Sequence, residues 1–257
     1  MLTGTTLRQD IRAKNTKYMP SSQVVNPEGP EERAKTGAVV LALNAQPESD
    51  TTASDRSRYQ GWALAVLLAA AVVYFYDLDG GARLSQIDCW VAQTAREMLE
   101  SGDWLVPHFA GEMRLHKSPG PYWMAAGLSL LRGRDVEPTT IRGINAAFCV
   151  ATVGVMLWWA WTNFGPRTGV FVGATLGASL FAVYWSHQGS SDPGLAFFCT
   201  AAALLLWQAD QAELGTRRRF RLWMAFYAAA GLGMLHKMPV PAAVLGFVFV
   251  AYVLASR

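Results

Sequence analysis

Hydrophobic and polar positions divide the chain into two regimes. Through about residue 60 they mix without a period, and breaker-rich stretches recur: Pro20-Ser21-Ser22, Asn26-Pro27-Glu28-Gly29-Pro30 and Ser49-Asp50-Thr51-Thr52. An apolar island at 38–43 is too short to cross a bilayer, and no apolar core starts near Met1 as a signal peptide would require. Beyond residue 60, apolar runs follow one another with short polar breaks. A spanning helix takes about 20 residues. Runs at 61–76 (reaching Leu78), 144–161, 168–186, 193–209, 222–235 and 240–255 approach that length, the fifth marginally. The run 119–131 would rise only about 20 Å against a hydrocarbon core of about 30 Å, so it reads as an interfacial or re-entrant helix. The glycine and alanine pattern at 169–179 predicts close helix packing.

The basic residues fix a sidedness for these runs. With six spans and the N-terminus inside, the cytoplasmic pieces are the tail with Arg56 and Arg58, the Gly165-Pro166-Arg167 turn, the turn at 216–221 and Arg257. Arg217, Arg218, Arg219 and Arg221 make the third piece the most basic short loop, as the positive-inside rule expects. If 119–131 also spanned, that cluster would face out. The expected architecture is therefore all-α and polytopic, in the plasma (inner) membrane. It has about six transmembrane helices, a disordered polar cytoplasmic tail over 1–60 and a membrane module over 61–257. Three segments fall on the outer face: 79–140, 187–192 and 236–239.

Composition agrees. Of 257 residues, 52% are hydrophobic and 16% charged, which excludes a disordered chain and argues against an ordinary soluble domain. The first 60 residues hold eight Lys/Arg and seven Asp/Glu. A net charge of +3 is too small and scattered for a nucleic-acid partner. Three cysteines make no disulfide framework; Cys149 and Cys199 lie in apolar runs, and Cys89 alone has polar neighbours.

The first outer segment carries the candidate chemistry. Over 88–100, Val91, Ala95, Met98 and Leu99 form one apolar stripe, with Gln93, Arg96, Glu97 and Glu100 elsewhere. This predicts an amphipathic helix on the membrane surface, ended by Ser101-Gly102-Asp103, with Trp104 at the interface. Arg114, His116 and Lys117 form a basic cluster before Pro119, and Tyr122 and Trp123 are expected at headgroup level. Two candidate acids have plain structural readings. Ser85-x-x-Asp88 matches a capping box, and Asp192-Pro193 an N-cap followed by proline at the first helical position. Lys117 and Arg114 equally suit lipid headgroups, and His116, His187 and His236 are ordinary interfacial residues. Lys237, an ammonium beside a membrane core, calls for a stronger reason.

The ordered run Ile87-Asp88 … Ala95-Arg96-Glu97-Met98-Leu99-Glu100-Ser101-Gly102-Asp103-Trp104-Leu105-Val106-Pro107 … Arg114-Leu115-His116-Lys117-Ser118-Pro119 … Tyr122-Trp123 resembles the first external loop of the GT-C glycosyltransferases. It is most similar to the bacterial branch related to the aminoarabinose transferase of lipid A and to protein mannosyltransferases. Gly189-Ser190-Ser191-Asp192-Pro193 resembles the second external loop, and the stretch from Gly231 to Val240 a later G-L-G-x-L-x-K segment. The likeness covers roughly 61–250 and reads as the N-terminal half of such a protein.

The resemblance implies transfer of a sugar from a polyprenyl-phosphate carrier to a hydroxyl of a lipid, glycan or protein acceptor at the outer face. A phosphate leaving group departs as a stable anion, whereas the acceptor hydroxyl is a weak nucleophile needing a positioned base. Asp88 would be that base, with Asp192 orienting the acceptor or supporting Asp88. Lys117 would contact the phosphate, with Arg114, Lys237, His116 and Tyr122 as further substrate-binding candidates. Some relatives bind a divalent metal near His116; the residues here are too few to assign one. The family's Glu after the first Asp is replaced by Cys89. Two other classes stay open: a truncated, non-catalytic membrane subunit or scaffold of the same fold, and a transporter. The transporter is disfavoured because no inverted repeat and no charge deep in a span is visible.

Overall fold

The apolar runs become helices. The computed structural model describes residues 53–79, 85–115 and 117–255. Among these lie nine helices: α1 Ala53–Phe75, α2 Gln86–Ser101, α3 Gly120–Arg132, α4 Pro138–Phe164, α5 Pro166–Gly177, α6 Leu180–Ser186, α7 Asp192–Gln211, α8 Arg217–His236 and α9 Val240–Ala255. The predicted tail lies outside the described residues except for 53–60, which open α1 as helix. Helix α4 is the hub, packed against α1 through α3 and α5 through α7, while α8 and α9 pack on α7.

Three helices are long and apolar enough to cross a membrane: α1 from Arg56, α4 and α7. The run 168–186, expected as one span, is instead the pair α5 and α6, bent by 57°. At the break the carbonyls that α5 leaves over are shared between backbone and side chain: Ser179 N donates to Leu176 O (3.1 Å), and the fully buried Tyr74 hydroxyl donates to Leu176 O (3.2 Å) and Gly177 O (3.1 Å). Upstream, Gly169 and Gly173 of α5 lie against Trp161 and Leu157 of α4, the close packing expected of 169–179. Helix α8 carries its arginines in its first turns, and α9 has only 16 residues.

Helix α2 has the expected apolar stripe, but protein covers it. Val91, Ala95 and Met98 are buried with Tyr122, Ala125 and Ala126 of α3 and with Val136 and Ile141. The predicted headgroup anchors are accordingly internal: Tyr122 is buried in that cluster, and Trp123 Nε1 donates to Trp104 O at 2.6 Å. Gly102 closes α2 in the left-handed conformation (φ 71°), its N–H bonded to Met98 O. Between α2 and α3 the all-α expectation misses a small hairpin. Strands β1 (His108–Phe109) and β2 (Glu112–Met113) pair antiparallel, His108 opposite Met113. Ala110 and Gly111 turn it with positive φ (53° and 78°), and the Glu97 carboxylate accepts their N–H groups at 2.8 and 3.2 Å.

Tyr74→Phe removes the side-chain donor at the α5–α6 break. It is expected to cost about 0.5–1.5 kcal/mol, the net worth of an ordinary hydrogen bond, measured by equilibrium unfolding in detergent.

Candidate active site

The three segments assigned to one side of the spans meet at one end of the bundle. They line a cavity of about 160 Å³: Arg114, Lys117 and Tyr122 come from the first, Asp192 from the second, and His236 and Lys237 from the third. The Met238 N–H donates to Ser118 Oγ at 3.0 Å, tying the third segment to the first.

Each polar group has its own support. Arg114 is buried; its Nε donates to Tyr122 Oη at 3.2 Å, and its guanidinium lies 4.6 Å from the Trp90 ring centre and 5.4 Å from that of Phe109. Burial pushes the Tyr122 phenol above its ordinary range despite the opposing pull of Arg114, so it keeps its proton. Asp192 is engaged twice, by Lys237 Nζ at 2.6 Å on Oδ1 and by Ser190 Oγ at 2.6 Å on Oδ2. The expected cap is shifted by one residue: Ser191 is the N-cap of α7 and Asp192 its first residue. Lys237 therefore has the reason it needed, an ion pair. Lys117 makes no hydrogen bond or ion pair among the described residues; its ammonium acts on Asp192 through space only. His236 is packed between Phe148 and Phe198, and His187 bonds Tyr76 O at 2.9 Å. His116 lies outside the described residues.

Asp88 is the departure from expectation. The capping box forms in full: Asp88 N donates to Ser85 Oγ (3.1 Å) and Ser85 N to Asp88 Oδ2 (3.0 Å). The same Oδ2 accepts Arg142 Nη2 at 2.7 Å, and the side chain is 0% exposed. Gly189 closes over Oδ1: a Cβ there would lie 2.5 Å from it. Asp88 does not line the cavity; its neighbour Ile87 does. Both faces of the Asp88 carboxylate are therefore occupied by the fold, Oδ2 by the cap and Arg142 and Oδ1 by Gly189.

Arg142 and Asn145 escaped the sequence reading. Arg142 also donates to Leu78 O at 2.9 Å, and Asn145 Nδ2 donates to Gln188 O (2.5 Å) and Ser190 O (2.8 Å). The signal was available: two polar residues at i and i+3 in the opening turns of an apolar helix share a face. Among the described residues no group of three or more His, Cys, Asp or Glu could hold a metal ion. The cavity does not suit one either, because its carboxylate is already neutralised by Lys237 and further cations flank it.

Arg142→Met strands a buried carboxylate. It is expected to cost about 3–5 kcal/mol in detergent unfolding, with part recovered in the Asp88→Asn/Arg142→Met double variant. A second expectation concerns pH. Burial would raise the Glu97 carboxyl, but hydrogen bonds from Gln93, Gly111 and Ala110 hold it below its ordinary value. Its hold on the hairpin is therefore complete above the ordinary glutamate range and fades as pH falls through the lowered value. Hydrogen-exchange protection at Ala110 and Gly111, corrected for intrinsic rate, should fall with acid over that window.

The family model for dolichyl-phosphate-mannose-protein mannosyltransferase matches residues 116–257. The undecaprenyl phosphate-alpha-4-amino-4-deoxy-L-arabinose arabinosyl transferase of Pseudomonas aeruginosa is 31% identical over 193 residues, covering 70% of this chain and 32% of that protein. A Sodalis glossinidius relative of the same description is 32% identical over 148 residues, 57% of this chain and 26% of its own length. The chain thus spans about a third or less of these curated relatives. Among solved structures, ArnT from Cupriavidus metallidurans in the apo state superposes with a TM-score of 0.69 at 25% identity, over 77% of this chain and 36% of that one. The same protein bound to undecaprenyl phosphate gives 0.68 at 28%, with equal coverage. With more than half of its residues under that family model, this chain belongs to the dolichyl-phosphate-mannose-protein mannosyltransferase family.

Proposed function

We propose that the chain is the N-terminal part of a membrane glycosyltransferase that moves a sugar from a polyprenyl-phosphate carrier to an acceptor hydroxyl at the outer face of the plasma membrane. The observation that carries this reading is the cavity: Arg114, Lys117 and Lys237 gather around a single carboxylate, Asp192, among its lining residues. Lys117 and Arg114 supply charge to a leaving phosphate, so the carrier departs as an anion without a strong general acid. The Tyr122 phenol steadies Arg114. Asp192 is the carboxylate with access to an acceptor, and displacement of Lys237 towards incoming phosphate would free its Oδ1 to take the acceptor proton. Asp88 supports this site from behind, as half of a cap and half of an ion pair.

The arabinosyl transferase relatives favour an aminopentose donor and the bound undecaprenyl phosphate of the Cupriavidus protein a polyprenyl carrier. The arginines at the start of α8, remote from the cavity, support the cavity end as external. Residues 1–60 are proposed as cytoplasmic, the tail passing into helix at the start of α1.

One observation favours a second reading, a non-catalytic subunit of the same fold: the cavity wall beside Asp88 is the apolar Ile87. The two readings part in membranes supplied with labelled polyprenyl-phosphate sugars, using the full reading frame. Asp192→Asn is expected to lower transfer at least about 100-fold, the usual weight of a general base, and Lys117→Met by a comparable factor. Asp88→Asn should lower the yield of folded protein far more than the rate per folded molecule. No transfer by the correctly inserted natural sequence across several donors would favour the non-catalytic reading, and a rate unchanged in Asp192→Asn would remove Asp192 from the chemistry.

A further inference from the structure

We propose a second site at the opposite end of the bundle, a cavity that binds the phosphate head group of an anionic phospholipid. It measures about 470 Å³ and is lined by Trp158, Asn163, Trp207, Gln208, Gln211 and Arg218 from α4, α7 and α8. Arg218 and Lys237 flank opposite ends of the 20-residue α8, about 30 Å apart by helical rise. This cavity is therefore separate from the candidate active site.

Its chemistry selects an acceptor-rich anion. The Arg218 guanidinium, the Gln208 and Gln211 amides and the indole N–H groups of Trp158 and Trp207 have no hydrogen-bond partner among the described residues. All of these side chains can donate. The Asn163 amide is already spent, donating to Trp159 O at 2.7 Å and Thr162 Oγ1 at 3.2 Å. No carboxylate is among the described lining residues; nearby Asp210 accepts from the Tyr252 hydroxyl, and Glu213 is exposed in the preceding turn. Arg217, Arg218 and Arg221 are exposed and form no ion pair among the described residues, while Arg219 donates to Ala212 O at 3.1 Å. Unspent donors and an excess of positive charge match a phosphodiester, which offers only acceptors and a negative charge.

The surroundings point to a lipid as the source of that phosphate. Trp158, which lines the cavity, is 54% exposed, and Leu214 and Phe220, on the same basic turn and first turn of α8 as Arg218, are 82% and 65% exposed. Indole and apolar side chains interleaved with arginine are the composition of a headgroup-level surface, where acyl chains meet the apolar members and the phosphate the basic ones.

Purified full-length protein in mild detergent is titrated with phosphatidylglycerol, phosphatidylcholine and inorganic phosphate, with bound lipid read by native mass spectrometry and thermal shift. Saturable binding of phosphatidylglycerol and not of phosphatidylcholine is expected. Arg218→Gln should weaken it about ten-fold, as loss of a charge-assisted hydrogen bond does. Gln208→Leu/Gln211→Leu keeps every charge and should weaken it by a similar factor, whereas Arg221→Gln, outside the cavity, should cost about five-fold or less. Unchanged elution and circular dichroism certify that each variant is folded. Wild-type binding by the amide variant would overturn the proposal in favour of the arginine cluster acting alone. Equal protection by inorganic phosphate at matched concentration would overturn the lipid assignment.

Discussion

The opening turns of α4 hold the candidate active site together. Arg142 reaches two places at once, the Leu78 carbonyl beyond α1 and the Asp88 carboxylate at the start of α2. One turn further, Asn145 grips the carbonyls of Gln188 and Ser190 in the segment before α7. A buried ion pair gives little net stability, because desolvation consumes most of the attraction. What it gives here is position: the start of α2 and the loop before Asp192 are referred to the same helix, and Gly189 lets them touch.

From that frame the charges of the cavity differentiate. Arg114 is fixed by Tyr122 and by two aromatic faces, so it acts as an immobile positive wall. Lys237 is spent on Asp192, and Lys117 is uncommitted. A preorganised cation costs no reorganisation when charge develops on a leaving group, whereas a mobile one can follow it. The pairing of Lys237 with Asp192 also offsets the one carboxylate among the described lining residues. The site is therefore self-consistent before a ligand arrives and has spare positive charge for one.

Much of this was legible in the sequence, and the failures share one cause. The apolar runs located the long helices, the short run 119–131 remained a 13-residue helix, and Gly102 ended α2 as its chemistry required. Arg114, Lys117, Tyr122, Asp192 and Lys237, scattered over the chain, do converge. What hydropathy could not decide was whether an apolar face meets lipid or protein. The stripe of α2 and the ring of Tyr122 present the same pattern to either, and only the position of α3 settles it. The bend between α5 and α6 was hidden for a related reason: a carbonyl at the break takes part of its hydrogen bonding from a hydroxyl about a hundred residues away, at Tyr74. Arg142 and Asn145 sit at the mouth of an apolar helix, where hydropathy alone does not separate a polar pair that clamps loops from one that faces water.

Asp88 illustrates a competition that sequence motifs cannot resolve by themselves. An acidic residue at the third position of a helix and a serine at its N-cap satisfy each other's backbone, and to do so the carboxylate must fold back along the helix. Successive helical residues diverge by about 100°, so the residue that closes the cap and the residue that faces the cavity cannot be the same one. Here the cap and Arg142 share Oδ2, Gly189 covers Oδ1, and Ile87 takes the outward direction. The carboxylate at this position is thereby held by the fold, and the one carboxylate among the described lining residues of the cavity is instead Asp192, at the start of α7.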